Sequence, residues 1–425
     1  MKIAIIGAGS TYTPELIEGV INRKEVFPVT EIALMDIDEH KLRIVGGLAA
    51  RMVDKSGHGA KVTQTFDSKE ALSGATFVFA QIRVGKLPAR VLDEKIPLKY
   101  DLHGQETTGI GGFFKALRTI PVLVNICEIM QKVCPEAYLI NFSNPSGICA
   151  QALSDSGFER VIGLCNAPIG MISTCAETFD LDPKKAEAEY IGLNHLSFVT
   201  GIKYNGKDYI QSAVHGDEEA LAKLDWQMGF RAEEIKQLEA VPSYYLTYFL
   251  HRQESLKKQK EAKTSRGEDC MVIEKDLLAM YQDANLYVKP ELLSKRGGAM
   301  YSEAACSLAQ SIYLDEGAIH IVNTKNNGAI TYLKPSDVVE VKAMVNKHGA
   351  RSLTIPEIYQ GSAYVRNIIK TIKEYENATA TAALKGDKKA ALEALLINPL
   401  IGDYQAAKAC FDEMLEAHKE FLPQF

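Results

Sequence analysis

Along the first 165 residues, short apolar runs alternate with longer stretches in which apolar positions recur at helical spacing. The runs predict strands at Lys2–Ile6, Glu31–Met35, Thr76–Ile82, Ala137–Phe142 and Arg160–Leu164, and the longer stretches predict helices, notably Glu39–Lys55 and Ala116–Cys134. Strands regularly spaced by helices imply a parallel sheet with crossover helices: a Rossmann-like, doubly wound α/β domain over residues 1–165. Such sheets bind ligands at the carboxyl ends of their strands, and unusual residues collect there: Gly7–Ser10, Asp36, Arg83, Asn141–Gly147 and Cys165. A long loop is expected from Arg83 to Gly112. After Cys165 the pattern changes. Strand-like pieces (Glu189–Leu193, Leu196–Tyr204, Ala318–Asn323) mix with helices such as Tyr364–Glu376 and Tyr404–His418, which predicts a second, α+β domain over residues 166–425. The Lys- and Glu-rich segment Arg252–Glu268 reads as a solvated helix or loop. There are no repeats and no Pro/Gly-rich linker.

The first strand runs into a glycine turn. Gly7 and Gly9 stand where a backbone must turn tightly and approach a pyrophosphate, although the third glycine of the dinucleotide fingerprint is replaced by Tyr12. Asp36 closes the next apolar run, where a carboxylate accepts hydrogen bonds from ribose hydroxyls. It would repel a 2′-phosphate, so the expected cofactor is NAD rather than NADP.

Composition narrows the classes. The chain has 425 residues, 46% hydrophobic and 24% charged, with a formal net charge of −6. These values fit two globular domains and give no reason to expect nucleic acid or an anionic membrane as partner. No run of eighteen apolar residues suggests a membrane span, and no signal-peptide pattern precedes the first strand, so a cytoplasmic location is expected. The eight cysteines form no Cys-x-x-Cys pair and read as reduced, mostly small buried hydrophobes.

Cys165, in the segment CNAPIG at the end of the fifth predicted strand, is open to three readings: core residue, nucleophile or metal ligand. His195, in GLNHLS, is in an apolar setting where a core histidine is the common case. Together at one rim the two can hold a borderline divalent metal and leave positions open for substrate oxygens. The segment NFSNPSG, Asn141–Gly147, is either a turn or a polar clamp over cofactor and substrate. Arg83, Arg90 and Arg296 are candidates for an anionic group, since forked donors suit phosphate. Tyr244 and Tyr245 belong to an aromatic stripe whose default is packing. A tyrosine acts as a base only where a cation lowers its pKa from about 10.

The ordered motifs GAGSTYTPEL, GQETTGIGGF, NFSNPSG, GLCNAPIGM, GLNHLSF, SYYLTYF and RGGAMYS, spread over residues 1 to about 330, resemble those of glycoside hydrolase family 4. These are NAD- and metal-dependent glycosidases that depart from the two-carboxylate mechanism. The resemblance implies a lactate/malate dehydrogenase-like N-terminal fold and a hydrolysis that begins with oxidation. NAD takes hydride from sugar carbon-3, and the ketone acidifies the proton on carbon-2. A metal, expected to be Mn²⁺, stabilises the resulting charge as a Lewis acid. The aglycone is eliminated, water adds, and hydride returns. Carried over, Gly7, Gly9, Ser10 and Asp36 hold NAD; Cys165 and His195 hold the metal; Tyr245 is the base, with Tyr244 one position away. Arg83, Arg90, Asn144, Asn166 and Arg296 contact the phosphorylated substrate, and Glu106 the sugar hydroxyls. The branch it most resembles is the 6-phospho-β-glucosidases, because α-specific members typically carry Cys-Asp where this chain has Cys165-Asn166. The implied substrate is a phosphorylated disaccharide or β-glucoside, and the implied assembly a homodimer or homotetramer. The alternatives are a 6-phospho-α-glucosidase or other glycosidase of the family, a net NAD-dependent 2-hydroxy-acid dehydrogenase, and a cofactor-binding regulator.

Overall fold

The computed structural model describes residues 1–297 and 301–425. The middle of the RGGAMYS motif, residues 298–300, lies outside the described residues. Among the described residues thirteen strands occur in chain order: β1 Lys2–Ile6, β2 Glu31–Met35, β3 Lys61–Thr65, β4 Phe77–Ala80, β5 Tyr138–Asn141, β6 Val161–Gly163, β7 Glu187–Leu193, β8 Leu196–Tyr204, β9 Lys207–Asp208, β10 Val241–Pro242, β11 Ala318–Lys325, β12 Val338–Asn346 and β13 Gly349–Ser352.

Nine of these form one sheet, ordered β13-β12-β11-β6-β5-β4-β1-β2-β3. Its parallel part reads 3-2-1-4-5-6, the Rossmann order, with the crevice where the order reverses between β1 and β4. Helices cover both faces, so the central strands are apolar on both. Ala4, Ile6, Val78 and Ala80 face one core, and Ile3, Ile5, Phe77 and Phe79 face the other. The C-terminal strands extend this sheet in antiparallel fashion through Asn323 and Gly163. A smaller sheet of β10, β8 and β7, with β9 paired to β8, packs alongside β12.

Three differences from the sequence expectation have physical reasons. The edge strand β3 is partly exposed and carries the polar sequence KVTQT, so it has no apolar run to announce it. The expected loop from Arg83 to Gly112 contains a helix, Lys86–Lys95, whose buried face includes Arg90, Asp93 and Glu94 and so lacks apolar periodicity. The core helix starts at Gly109, seven residues before the expected start at Ala116. The glycines at and before its start mark close approach rather than a flexible loop: a Cβ on Gly112 would lie 2.4 Å from Thr107 backbone, and one on Gly104 would overlap the Glu94 carbonyl at 1.7 Å. This helix, Gly109–Val133, is long and apolar enough to cross a membrane, yet 78% of its most apolar window is buried inside the protein.

Candidate active site

At the end of β1 the chain turns through Gly7, whose φ of +86° only glycine adopts without strain. The Gly7 and Ala8 N–H groups donate to the Met35 carbonyl at 2.9 and 2.8 Å, tying the turn to β2. Gly9 N–H donates to Asp36 Oδ2 at 2.8 Å, and a Cβ on Gly9 would sit 2.9 Å from that oxygen. Asp36 Oδ1 accepts from Asp38 N–H at 2.9 Å. The carboxylate is therefore fixed in place before any ribose arrives, and each oxygen keeps a further lone pair for a hydroxyl. These residues and Ser10 line a cleft of 720 Å³ at the β1–β4 crevice. Tyr12, in place of the third glycine, also lines it, with the Arg296 guanidinium 5.4 Å from its ring centre.

Arg83, Lys115, Asn144 and Arg296 form the other end of the same cleft. Asn144 Oδ1 and Arg296 Nε are buried with no hydrogen-bond partner among the described residues. The Asn144–Pro145 peptide is cis. Behind the wall lies Glu106, 8% exposed, paired with Arg83, with Lys115 at 2.6 Å and with Arg90 at 2.9 Å. Burial alone would raise its carboxyl, but the charges of Arg83, Lys115 and Arg90 together hold it well below the usual range. Arg90 spends its fork on protein carboxylates, Glu106 and Glu94 (2.7 Å), and so holds the cation cluster in register. Burial, reinforced by Arg83, brings Lys115 down to about 8.

Cys165 and His195 meet beside this cleft. Cys165 follows β6 and His195 occupies the two-residue turn between β7 and β8, where Leu193 pairs with Leu196. His195 has φ +64°, a left-handed conformation that costs a non-glycine residue about 1–3 kcal/mol and is kept where a side chain must be aimed. Its Nε2 lies 3.9 Å from Cys165 Sγ, and both residues are 4% exposed. The usual metal–nitrogen and metal–sulfur bonds sum to about 4.4 Å, so one ion reaches both. Burial, with Lys115 adding to it, brings His195 down to about 3, leaving a neutral imidazole able to ligate. Burial first, then the Glu340 charge, pushes the Cys165 thiol up to about 12, against N–H donors from Ala167, Asn194 and Asn166. A cation at the sulfur is the natural compensation for deprotonating it. Among the described residues no group of three His, Cys, Asp or Glu side chains converges, which leaves positions on such an ion for substrate oxygens. Residues and metal therefore fit as an open, two-ligand site.

The Tyr245 ring stands 4.5 Å from the His195 ring, and Tyr244 stacks outside it at 4.1 Å, 46% exposed. Of the two tyrosines, Tyr245 is the one beside the metal pair. Asn166 begins the helix Ala167–Thr178 next to Cys165. Cys165 also lines a second groove of 1400 Å³, which shares Tyr12 with the cleft and has room for a sugar carrying an aglycone.

Sequence reasoning missed Lys115, Asn194 and Glu340. Lys115 did leave a signal, because a lysine inside an apolar helix is buried only when paired. Asn194 and Glu340 are joined only by folding.

The sequence models of family 4 glycosyl hydrolases match residues 2–181, and those of the family's C-terminal domain match residues 190–401. The chain belongs to glycosyl hydrolase family 4. Membership makes it a glycosidase. It is similar to a Bacillus subtilis protein named probable 6-phospho-β-glucosidase, 43% identical over 100% of this chain and 98% of that one. The Clostridium acetobutylicum phospho-α-glucosidase PagL is 30% identical, covering 99% and 98%. The solved 6-phospho-β-glucosidase of Thermotoga maritima, with manganese, NAD⁺ and glucose-6-phosphate, is 36% identical, covers 99% of each chain and superposes with a TM-score of 0.90.

Proposed function

We propose that this glycosidase is a 6-phospho-β-glucosidase that works with NAD and a divalent metal, Mn²⁺ being the expected ion. The observation that carries the reading is the Cys165–His195 pair at 3.9 Å, with the Tyr245 ring 4.5 Å from the imidazole, beside a dinucleotide cleft. When bound, the two groups supply a reversible hydride acceptor for one sugar carbon and a Lewis acid for the neighbouring oxygens. The protein's own part is placement and proton transfer. Arg83, Lys115, Asn144 and Arg296 present cationic and amide donors at one end of the cleft, which suits a 6-phosphate. Glu106 holds Arg83 and Lys115 in place, with Arg90 behind them, so little reorganisation of these two is left for binding. The Tyr245 phenolic oxygen is the group placed to take the proton from carbon-2, and a cation held at Cys165 and His195 would lower its pKa toward the working range. The deep burial of Cys165 and His195 keeps bulk water from the reacting carbons.

The residue after Cys165 supports β-glucosides: Asn166 has no acid to give an α-linked leaving group, and the β-named relative is more similar than the α-named one. A cytoplasmic enzyme working as a homodimer or homotetramer is part of the same proposal.

A panel of nitrophenyl α- and β-glycosides, with and without a 6-phosphate, tests this in the presence of NAD and Mn²⁺. Aglycone release confined to the 6-phospho-β-glucoside is expected, without net NADH. Stoichiometric NADH with no aglycone would return the protein to the dehydrogenase reading, and preference for the α-anomer would move it to the other branch.

A further inference from the structure

The carboxyl of Glu340, on β12, is 1% exposed and meets three neutral donors. Tyr190 O–H donates to Oε2 at 2.7 Å, and the side-chain amides of Asn194 and Asn323 donate to Oε1 at 3.0 and 3.1 Å. A carboxyl sunk into a core with no ion-pair partner among the described residues is costly compared with an apolar residue, so packing does not account for it. Its chemistry does: burial raises the carboxyl to about 7, and in either protonation state Oε1, which takes both amides, can remain an acceptor and dictates which face of each amide turns toward it.

Asn194 is the neighbour that matters, because it immediately precedes His195 in the β7–β8 turn. Its Oδ1 accepts from the N–H groups of Ser146 and Gly147, at 3.0 and 3.3 Å, where the helix Ser146–Asp155 begins. It is also near enough to the Cys165 sulfur to favour the thiolate. One amide thus ties the segment that follows Asn144 to the turn that carries the imidazole ligand, and lies beside the sulfur ligand. Flipped by half a turn, it would set its oxygen against the Glu340 carboxylate and its NH₂ against two N–H donors, and every contact would fail.

We propose that Glu340 is a positioning residue for the metal-binding pair, acting through Asn194 to fix the β7–β8 turn and the aim of His195 toward Cys165. It touches neither substrate nor cofactor. It lies 146 residues from Asn194 in sequence, so the C-terminal half of the chain sets the geometry of a site whose ligands sit upstream. Partners behind metal ligands typically change metal affinity 10- to 100-fold when removed. The inference rests on the reading of Cys165 and His195 as metal ligands.

Titration of the full-length protein with Co²⁺ alone tests it, read by the thiolate-to-cobalt absorption band, with melting temperatures of the metal-free proteins measured alongside. Glu340→Gln keeps the volume and puts an NH₂ donor in place of one of the two carboxyl oxygens. It is expected to weaken Co²⁺ binding about 10- to 100-fold and to shift the thiolate band. Asn194→Ala, which leaves β12 untouched, is expected to show the same loss, and the double variant no more than either single one, because the two act along one route. Co²⁺ affinity within about threefold of wild type in Glu340→Gln, with an unchanged band, overturns the proposal even if the melting temperature falls. If Glu340→Gln does not fold, Asn194→Ala decides by the same criterion. Additive losses in the double variant overturn the route through Asn194. A wild-type band that Cys165→Ser abolishes confirms the metal pair separately. Absence of any band in the wild type refutes that pair and this inference with it.

Discussion

The two ends of the active-site region are built in opposite ways. The dinucleotide end is local: Gly7, Gly9 and Asp36 come from two consecutive strands, and backbone N–H groups bonded to Met35 and Asp36 shape it. The metal end is assembled from afar. Cys165, His195, Tyr245 and Glu340 come from four different segments and are joined by side chains alone. A backbone-built site tolerates most side-chain changes and fails by steric intrusion. A side-chain-built site fails when any one atom is removed. The difference predicts where substitutions hurt and in which kinetic constant.

The largest loss is expected at the metal end. Cys165→Ala should remove one of two protein ligands and bring glycoside cleavage down by about 10³-fold or more, the value of several kcal/mol of Lewis-acid stabilisation. NAD affinity, followed by quenching of protein fluorescence, should hardly change. Equal damage to both would show that the two ends are not separable. Tyr245→Phe comes next: about a 10²- to 10³-fold fall in kcat with KM nearly constant, as befits a lost general base. Exchange of the substrate's carbon-2 deuterium with solvent should stop in this variant. Tyr244→Phe, on the far side of the Tyr245 ring from His195, should retain exchange, and the reverse pattern would assign the base to Tyr244.

At the dinucleotide end, Gly9→Ala should act by intrusion, its methyl lying 2.9 Å from Asp36 Oδ2. A roughly tenfold weaker NAD complex is expected, about 1.4 kcal/mol, with kcat at saturating NAD close to wild type. A collapse of kcat at saturating cofactor would mean that the turn also organises the chemistry. The smallest effect is electrostatic. Burial holds Lys115 at about 8, so its positive charge is present below that pH and lost above it. The KM for a 6-phosphoglucoside should therefore rise roughly two- to fivefold as pH climbs through 8, one of several cations lining the cleft being lost. A flat profile between pH 7 and 9 would remove Lys115 from phosphate binding.

The same contrast explains what could be read before folding. β1 and β2 were legible to the residue because both faces of each are buried, and so was the helix Glu39–Lys55 with its apolar stripe. The nucleotide turn was legible because its parts are contiguous. The helix Lys86–Lys95 was not, since its buried face serves the ion pairs of Arg90, Asp93 and Glu94 instead of a hydrophobic core. Cys165, His195 and Tyr245 could be named as candidates from their motifs, while their convergence required three dimensions. The family resemblance put Arg90 at the phosphate ahead of Arg83. In the structure, Arg83 lines the cleft and Arg90 stands behind it between Glu94 and Glu106. Nothing in the sequence around residue 340 tied Glu340 to a turn 146 positions earlier.

The junction of Gly163 with Asn323 has a consequence for how this protein is made. Until β11 emerges from the ribosome, β6 is a bare sheet edge, a template for pairing with other chains. The carboxyl that holds Asn194 arrives later still. A nascent chain interrupted after β10 would carry the cysteine, the histidine and the tyrosine without the partner strand that sets their alignment. Production of active protein therefore depends on finishing the chain, and truncated by-products are expected to be sticky and metal-poor rather than partially competent.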